Sequence, residues 1–153
     1  MSAPISKDQI ADFVGRQLPP SPWFKIDQSR INTFAEVTED HQFIHVDPEA
    51  AARTPFGTTI AHGFLTLSLL SHLAESFALV LEGAQMGINY GFDKVRFINP
   101  VTVDSEIRAV ATVVSIEEKN PGQWLTKYAV TVEIKGQEKP ALSAEWLGMQ
   151  IVQ

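Results

Sequence analysis

Between residues 61 and 81 the chain is apolar around nearly the whole circumference of a helix, with Phe64, Leu65, Leu67, Leu69, Leu70, Leu73, Phe77, Leu79 and Val80. A helix of that kind is buried in a core or lies in a membrane. About twenty residues would reach across a bilayer, but Ser68, His72 and Glu75 interrupt the run and no Lys or Arg flanks it. The pattern therefore predicts a core helix. After Gly83 the texture changes to segments dense in Val, Ile, Thr, Tyr and Phe, at 86–97, 106–117, 124–134 and 141–151. Turn signals separate them at Asn99-Pro100, Asn120-Pro121-Gly122 and Lys135-Gly136-Gln137. One long helix followed by four strands with no helix between them predicts an α+β fold in which an antiparallel sheet wraps the helix.

The first sixty residues read as shorter elements. Ile5, Ile10, Phe13 and Val14 fall at roughly helical intervals over 5–14, and Gly15 would end that helix. Pro19, Pro20 and Pro22 each fix their own φ and bias the preceding residue away from helix, so this stretch crosses in extended form. Residues 23–26 are a strand candidate. Asp27 is placed to cap a helix over 28–37 whose apolar stripe is Ile31, Phe34 and Ala35. Asp47-Pro48-Glu49 then restarts a helix, with a capping carboxylate, a proline where its missing N–H is harmless and an acid in the positive first turn. Arg53-Thr54-Pro55 stops it, and the stretch between the two helices reads as a polar loop.

With 153 residues the chain fits one domain, 1–153, large enough to bury roughly two thirds of its unfolded surface. A formal charge of −6 argues against nucleic acid and against anionic membranes as partners. The sequence has no cysteine, which removes disulfides, thiol nucleophiles and Cys-based zinc sites together. Its first residues lack the cationic start and apolar run of a secretory signal, so a cytoplasmic location is expected.

Chemistry concentrates in the stretch between those two helices. Thr38-Glu39-Asp40-His41-Gln42-Phe43-Ile44-His45-Val46-Asp47-Pro48 places a carboxylate, an amide and two imidazoles in a short polar segment, and Ala61-His62-Gly63-Phe64 follows. A carboxylate and an imidazole that share one water can take a proton from it and return one elsewhere. By spacing alone, Asp40 reads as well as a turn residue and His45 as a half-buried hydrogen bonder. Gly63 would lie in the first turn of the long helix, where backbone N–H groups have no intrahelical partner and the dipole is positive. Such a glycine lets an oxygen approach those donors closely, and it also lets a neighbouring element pack closely. His41, His45 and His62 with Asp40 or Asp47 offer metal-ligand types, but no third ligand is spaced well, and no metal is expected. Lys94 and Arg96 alternate with Val95 and Phe97, so both cations share one face, as solvated strand residues do.

The motif Asp40, Gln42, His45 and His62-Gly63 resembles that of the MaoC-like and (R)-specific enoyl-CoA hydratases. The segment Asn89-Tyr90-Gly91-Phe92-Asp93-Lys94-Val95-Arg96-Phe97-Ile98-Asn99-Pro100-Val101 is similar to the nodulation protein N-like branch of the same superfamily, and the resemblance runs from about Trp23 to the end. One departure is Gln42-Phe43, where the family usually has Asn-Pro.

The resemblance implies a hot-dog fold and reversible hydration of a trans-2-enoyl thioester, carried by coenzyme A or acyl carrier protein, to an (R)-3-hydroxyacyl thioester. It implies Asp40 and His45 as the catalytic pair and the Gly63 N–H as oxyanion donor, with Gln42, His62, Ser71, Asn89 and Tyr90 around the substrate. No cofactor is expected, and a homodimer is. A thioesterase acting on the same substrates and a non-catalytic acyl-thioester binding module are the alternatives.

Overall fold

The computed structural model describes residues 3–153. Five strands, β1 (Phe24–Lys25), β2 (Ala84–Phe97), β3 (Glu106–Asn120), β4 (Gln123–Ile134) and β5 (Leu142–Val152), form one antiparallel sheet in the order β1-β3-β4-β5-β2. The helices are short: α1 (Ile10–Phe13), α2 (Gln28–Thr38), α3 (Phe43–Val46), α4 (Pro48–Ala51), α5 (Gly63–Ser68) and α6 (Leu70–Leu73). This is the hot-dog architecture, and the four long strands lie within a few residues of the ranges that their composition predicts.

Strict alternation makes the sheet two-faced. On β3, Ile107, Ala109, Ala111 and Val113 are buried, and on β4 so are Trp124, Tyr128, Val130, Val132 and Ile134. With Leu142, Ala144 and Trp146 of β5 they meet Leu65, Leu70, Leu73, Ala74 and Phe77 from the helical side. Each buried Val, Leu, Ile or Phe among them contributes roughly 1.5–3 kcal/mol.

The long helix is shorter than its apolar pattern predicts. The helical run covers α5, α6 and a 3₁₀ turn at Ala74–Ser76, and does not fill 61–81. Backbone pairing wins at both ends. Ala61 donates to the Val101 carbonyl at 2.8 Å and Ile60 bridges to Thr102, which keeps the entry extended. Beyond Phe77, the Tyr128 hydroxyl accepts from the Leu79 N–H and the Gln150 amide grips both the Leu79 carbonyl and the Leu81 N–H. Nor is the run buried on every side, because Phe64 is 67% exposed.

Asp27 caps α2 as expected, accepting from Arg30 N at 2.8 Å, and Asp47 caps α4, accepting from Ala50 N at 3.0 Å. The predicted helix over 5–14 is reduced to a 3₁₀ turn at Lys7–Gln9 and α1, since Ile5 pairs with Leu81 and Gly15 turns out at φ 84°. The extended crossing has a specific purpose. Gly15, Leu18 and Ser21 donate to the carbonyls of Val113, Ala111 and Ala109 at 2.7–2.9 Å, covering the edge of β3 that β1 leaves open. At the opposite edge β2 runs for fourteen residues with no further strand beside it among the described residues, and Met86, Ile88, Tyr90, Phe92 and Phe97 are exposed. No helix among the described residues is long and apolar enough to cross a membrane.

Candidate active site

The segment expected to be a plain polar loop contains one helical turn, α3, and that turn decides where His45 goes. Glu39 ends α2 in the left-handed region at φ 62°, reversing the chain so that Asp40 begins a new direction. Asp40 Oδ1 accepts from Gln42 N at 3.3 Å, and the Gln42 carbonyl accepts from His45 N at 3.0 Å. His45 is therefore carried inward to 6% exposure, while Asp40 stays at the surface. The expectation that both side chains sit on a polar loop outside the core holds for Asp40 and fails for His45.

His45 Nδ1 lies 2.7 Å from the Ile60 carbonyl. A carbonyl only accepts, so Nδ1 carries the proton in the neutral ring and Nε2 is left as a lone pair. Burial pushes the pKa of His45 down, partly opposed by the Ile60 hydrogen bond; His62 also lowers it and Asp40 raises it. The result is an imidazole held neutral with its basic nitrogen free. A carboxylate oxygen of Asp40 and one ring nitrogen each from His45 and His62 lie within 4.8 Å of one another, a spacing that one water can bridge.

These residue types at this spacing also invite a metal reading. The rings of His45 and His62 are stacked, with centroids 3.8 Å apart and planes 23° apart. Imidazole lone pairs lie in the ring plane, so two stacked rings aim them along nearly parallel sheets and not at one tetrahedral centre. The arrangement suits proton transfer better than metal ligation.

Gly63 opens α5 next to this cluster, and it shares with His45 a cavity of about 280 Å³ whose wall includes Ile60, Ala61, Thr66 and Phe97. A Cβ at Gly63 would stand 2.9 Å from the Phe97 ring. Close approach by Phe97 is thus sufficient reason for a glycine here; the Leu65 and Thr66 N–H groups donate to the His62 carbonyl at 3.1 and 3.3 Å, which leaves those of Gly63 and Phe64 without intrahelical partners. His62, the residue before the helix, is 3% exposed and is not among the residues lining that cavity.

The remaining predicted site residues fall elsewhere. Ser71 and Asn89 are joined by a 3.3 Å contact from Asn89 Nδ2 to Ser71 Oγ, and with Tyr90 they line a crevice between α5–α6 and β2, two helical turns from Gly63. Tyr90 is 63% exposed at a bulge in β2. Gln42 is exposed, and its backbone, not its amide, takes part in the turn. Lys94 and Arg96 are exposed on β2, as solvated strand residues are.

One site residue was missed. Gln28, the first residue of α2, donates to the His45 carbonyl at 2.8 Å and accepts from the fully buried Thr59 hydroxyl, so it ties α2, α3 and the strand-like approach to α5 together. In the sequence it looks like any polar residue in a first helical turn, and its partners are 17 and 31 residues away.

The sequence model described as MaoC like domain matches residues 9–136. A protein called nodulation protein N, from Rhizobium meliloti, is 48% identical over 146 residues, covering 95% of this chain and 91% of its own length. A Mycobacterium tuberculosis protein called 3-hydroxyacyl-thioester dehydratase Z is 47% identical over 136 residues, 89% of each chain. Among solved structures, an (R)-hydratase from A. caviae involved in PHA biosynthesis superposes with a TM-score of 0.71 at 26% identity, covering 88% of this chain and 94% of that one.

Proposed function

The chain belongs to the MaoC-like dehydratase family, and from that premise we propose that it is an (R)-specific enoyl-thioester hydratase. The observation that carries this reading is the Asp40–His45 pair: a surface carboxylate within 4.8 Å of a buried imidazole whose Nδ1 is tied to a carbonyl and whose Nε2 is bare. In the forward direction His45 Nε2 takes a proton from a water held against Asp40. The water oxygen forms a bond to the β carbon of a trans-2-enoyl thioester, and the electron pair of the double bond moves toward the thioester carbonyl. The Gly63 N–H supports the oxygen where that charge gathers. The proton held on His45 Nε2 then passes to the α carbon, which restores the neutral imidazole, and the 3-hydroxyacyl thioester leaves with atoms and charge balanced. The relatives described as a 3-hydroxyacyl-thioester dehydratase and an (R)-hydratase, named for opposite directions of one reversible reaction, support this chemistry.

The test is incubation with crotonyl-CoA and with a crotonyl acyl carrier protein, following the enoyl absorbance and free thiol together. Loss of absorbance without thiol, giving the (R)-3-hydroxy product, is expected. Release of thiol would instead make the protein a thioesterase, and tight binding with neither change would make it an acyl-thioester binding module.

The working unit under this reading is a homodimer joined along β2. That strand leaves fourteen residues of backbone unpaired on one side and presents a row of large apolar side chains, and pairing with an identical copy satisfies both at once while two-fold symmetry stops further growth. Sedimentation equilibrium at micromolar concentration should give twice the chain mass. A fully active species with the mass of one chain would remove the dimer from the proposal.

A further inference from the structure

His62 touches both members of the proposed catalytic pair without facing the cavity. Its Nε2 lies 2.9 Å from the main-chain carbonyl of Asp40, and its ring lies flat against that of His45 at 3.8 Å. Phe34 of α2 also packs against it, at 4.9 Å and 56°. The ring is thus fixed from three directions: the Asp40 turn, the α3 imidazole and the α2 aromatic. Its Nδ1 is buried and makes no hydrogen bond to protein.

That last fact is informative because buried polar atoms are nearly always paired. The Asp40 carbonyl only accepts, so His62 must hold its proton on Nε2, and in the neutral ring Nδ1 is then a lone pair without a donor. Glutamine could make the same bond with a flexible amide, and phenylalanine could make the same stack without an orphaned nitrogen. Among side chains of this size, histidine does both on one rigid plane, and the unpaired Nδ1 accompanies that combination.

We propose that His62 is a positioning residue for the Asp40–His45 pair, a plate that holds the carboxylate's backbone at one edge and the basic imidazole's face on the other. The proposal rests on the hydratase reading of that pair. It assigns His62 a function through Asp40 and His45 and not through contact with substrate. Holding the two groups matters because a displacement of about 1 Å in a reacting geometry costs on the order of 100-fold in rate. The plate also contributes to the low-dielectric side of His45. The titratable groups that act on His45 are His62, from the cap of α5, and Asp40, from the turn after α2. Glu36 and His41 pair with each other at 2.8 Å on the outside of that turn.

Two variants divide the functions. His62→Phe keeps the stacked ring and removes the donor to Asp40. Its kcat for crotonyl-CoA should fall on the order of 10- to 100-fold with KM little changed, and the acid limb of the pH profile should rise only as far as losing the His62 charge allows, because the burial that mainly lowers the His45 pKa is kept. His62→Gln keeps a donor and removes the ring. It should recover part of the lost kcat, while its acid limb moves upward because water reaches the face of His45. A purely structural histidine would lower stability in both variants without separating kcat from the pH limb. On the wild-type protein, ¹⁵N-histidine NMR supplies a measurement that needs no variant: His62 should be the Nε2–H tautomer and His45 the Nδ1–H tautomer. Should either variant fail to fold, those tautomers decide. An Nδ1–H tautomer at His62, or a His62→Phe protein with normal kcat, overturns the proposal. Failure of the hydratase reading is distinct: there the wild-type protein leaves enoyl thioesters unchanged whatever its tautomers are.

Discussion

The two ends of the helical run that starts at Gly63 are built differently. At its start, two buried imidazoles and a carboxylate are drawn to within 4.8 Å, and hydrogen bonds to Ile60 and Asp40 fix both rings. Two turns further on, Ser71, Asn89 and Tyr90 are all exposed, and a single 3.3 Å side-chain contact links Ser71 to Asn89. The three groups at the first end all come from one chain. The second lies beside β2, whose outer edge is open, so its surroundings depend on whatever pairs there. Under the proposed hydratase reading, the contrast separates a rigid centre for proton transfer from a surface for recognition, and mutations at the two ends should differ in size and in kind.

The largest effects belong to Asp40 and His45. Asp40→Asn keeps size and hydrogen bonding but removes the charge, and His45→Gln removes the basic nitrogen. Each should reduce kcat for crotonyl-CoA by on the order of 100- to 10,000-fold. Thermal melts should tell the two apart. Asp40 is exposed, so its variant should melt as the wild type does. His45→Gln disturbs a buried residue and the bond to Ile60, and should lose roughly 1–3 kcal/mol of stability. Near-normal turnover by either variant would falsify the assigned roles.

Gly63 comes next. Gly63→Ala places a methyl group against the Phe97 ring at 2.9 Å, so it crowds the cavity and strains the packing together. Activity should drop on the order of 10- to 100-fold and the melting temperature should also fall. The double variant Gly63→Ala with Phe97→Ala frees the packing contact. Stability lost to that clash should return, while activity should stay low if the thioester oxygen needs the space at Gly63. Full recovery of turnover in the double variant would reduce Gly63 to a packing residue.

Much of this molecule was readable from the sequence, for local reasons. Strands β2 to β5 announced themselves through β-branched and aromatic density, and the caps at Asp27 and Asp47 through short-range chemistry that the structure reproduces. Apolar periodicity at 77–81 does not make a helix, because Tyr128 and Gln150, some 50 and 70 residues away, bind the backbone there instead. Gln28 was missed for the same reason. The motif spacing marked Asp40 and His45, yet the burial of His45 follows from one turn of helix and a reversal at Glu39, neither of which has a strong local signal.

A smaller effect is expected from pH. Burial holds the His45 pKa down, so the neutral base persists to lower pH than an exposed imidazole would. The acid limb of kcat/KM should accordingly lie below the usual imidazole range. The same displacement links to stability. Because the unfolded chain binds the proton more readily than the folded one, the His45 contribution is present above the ordinary imidazole pKa. It is lost as pH falls from that value toward the folded one. Chemical denaturation across this window should show stability declining toward acid, and His45→Gln should flatten that part of the slope. An acid limb above the ordinary imidazole value would contradict the buried neutral base.

The smallest effects should appear at the recognition end. An exposed neutral hydrogen bond contributes at most about 1 kcal/mol, so Ser71→Ala or Asn89→Ala should raise KM by no more than about fivefold and leave kcat unchanged. The pair also permits a sharper test, because a shared contact should make the double variant little worse than either single one. A different outcome would redraw the comparison. If Ser71→Ala lowered kcat as much as Asp40→Asn does, the two ends would form one catalytic unit in the working protein. The crevice beside β2 would then have to meet the proton-transfer centre of a second copy across the open edge. Mixing inactive Asp40→Asn chains with inactive Ser71→Ala chains would decide that case. Activity regained by the mixture would place the two groups of one site on different chains, whereas a mixture as inactive as its parts would keep both on the same chain.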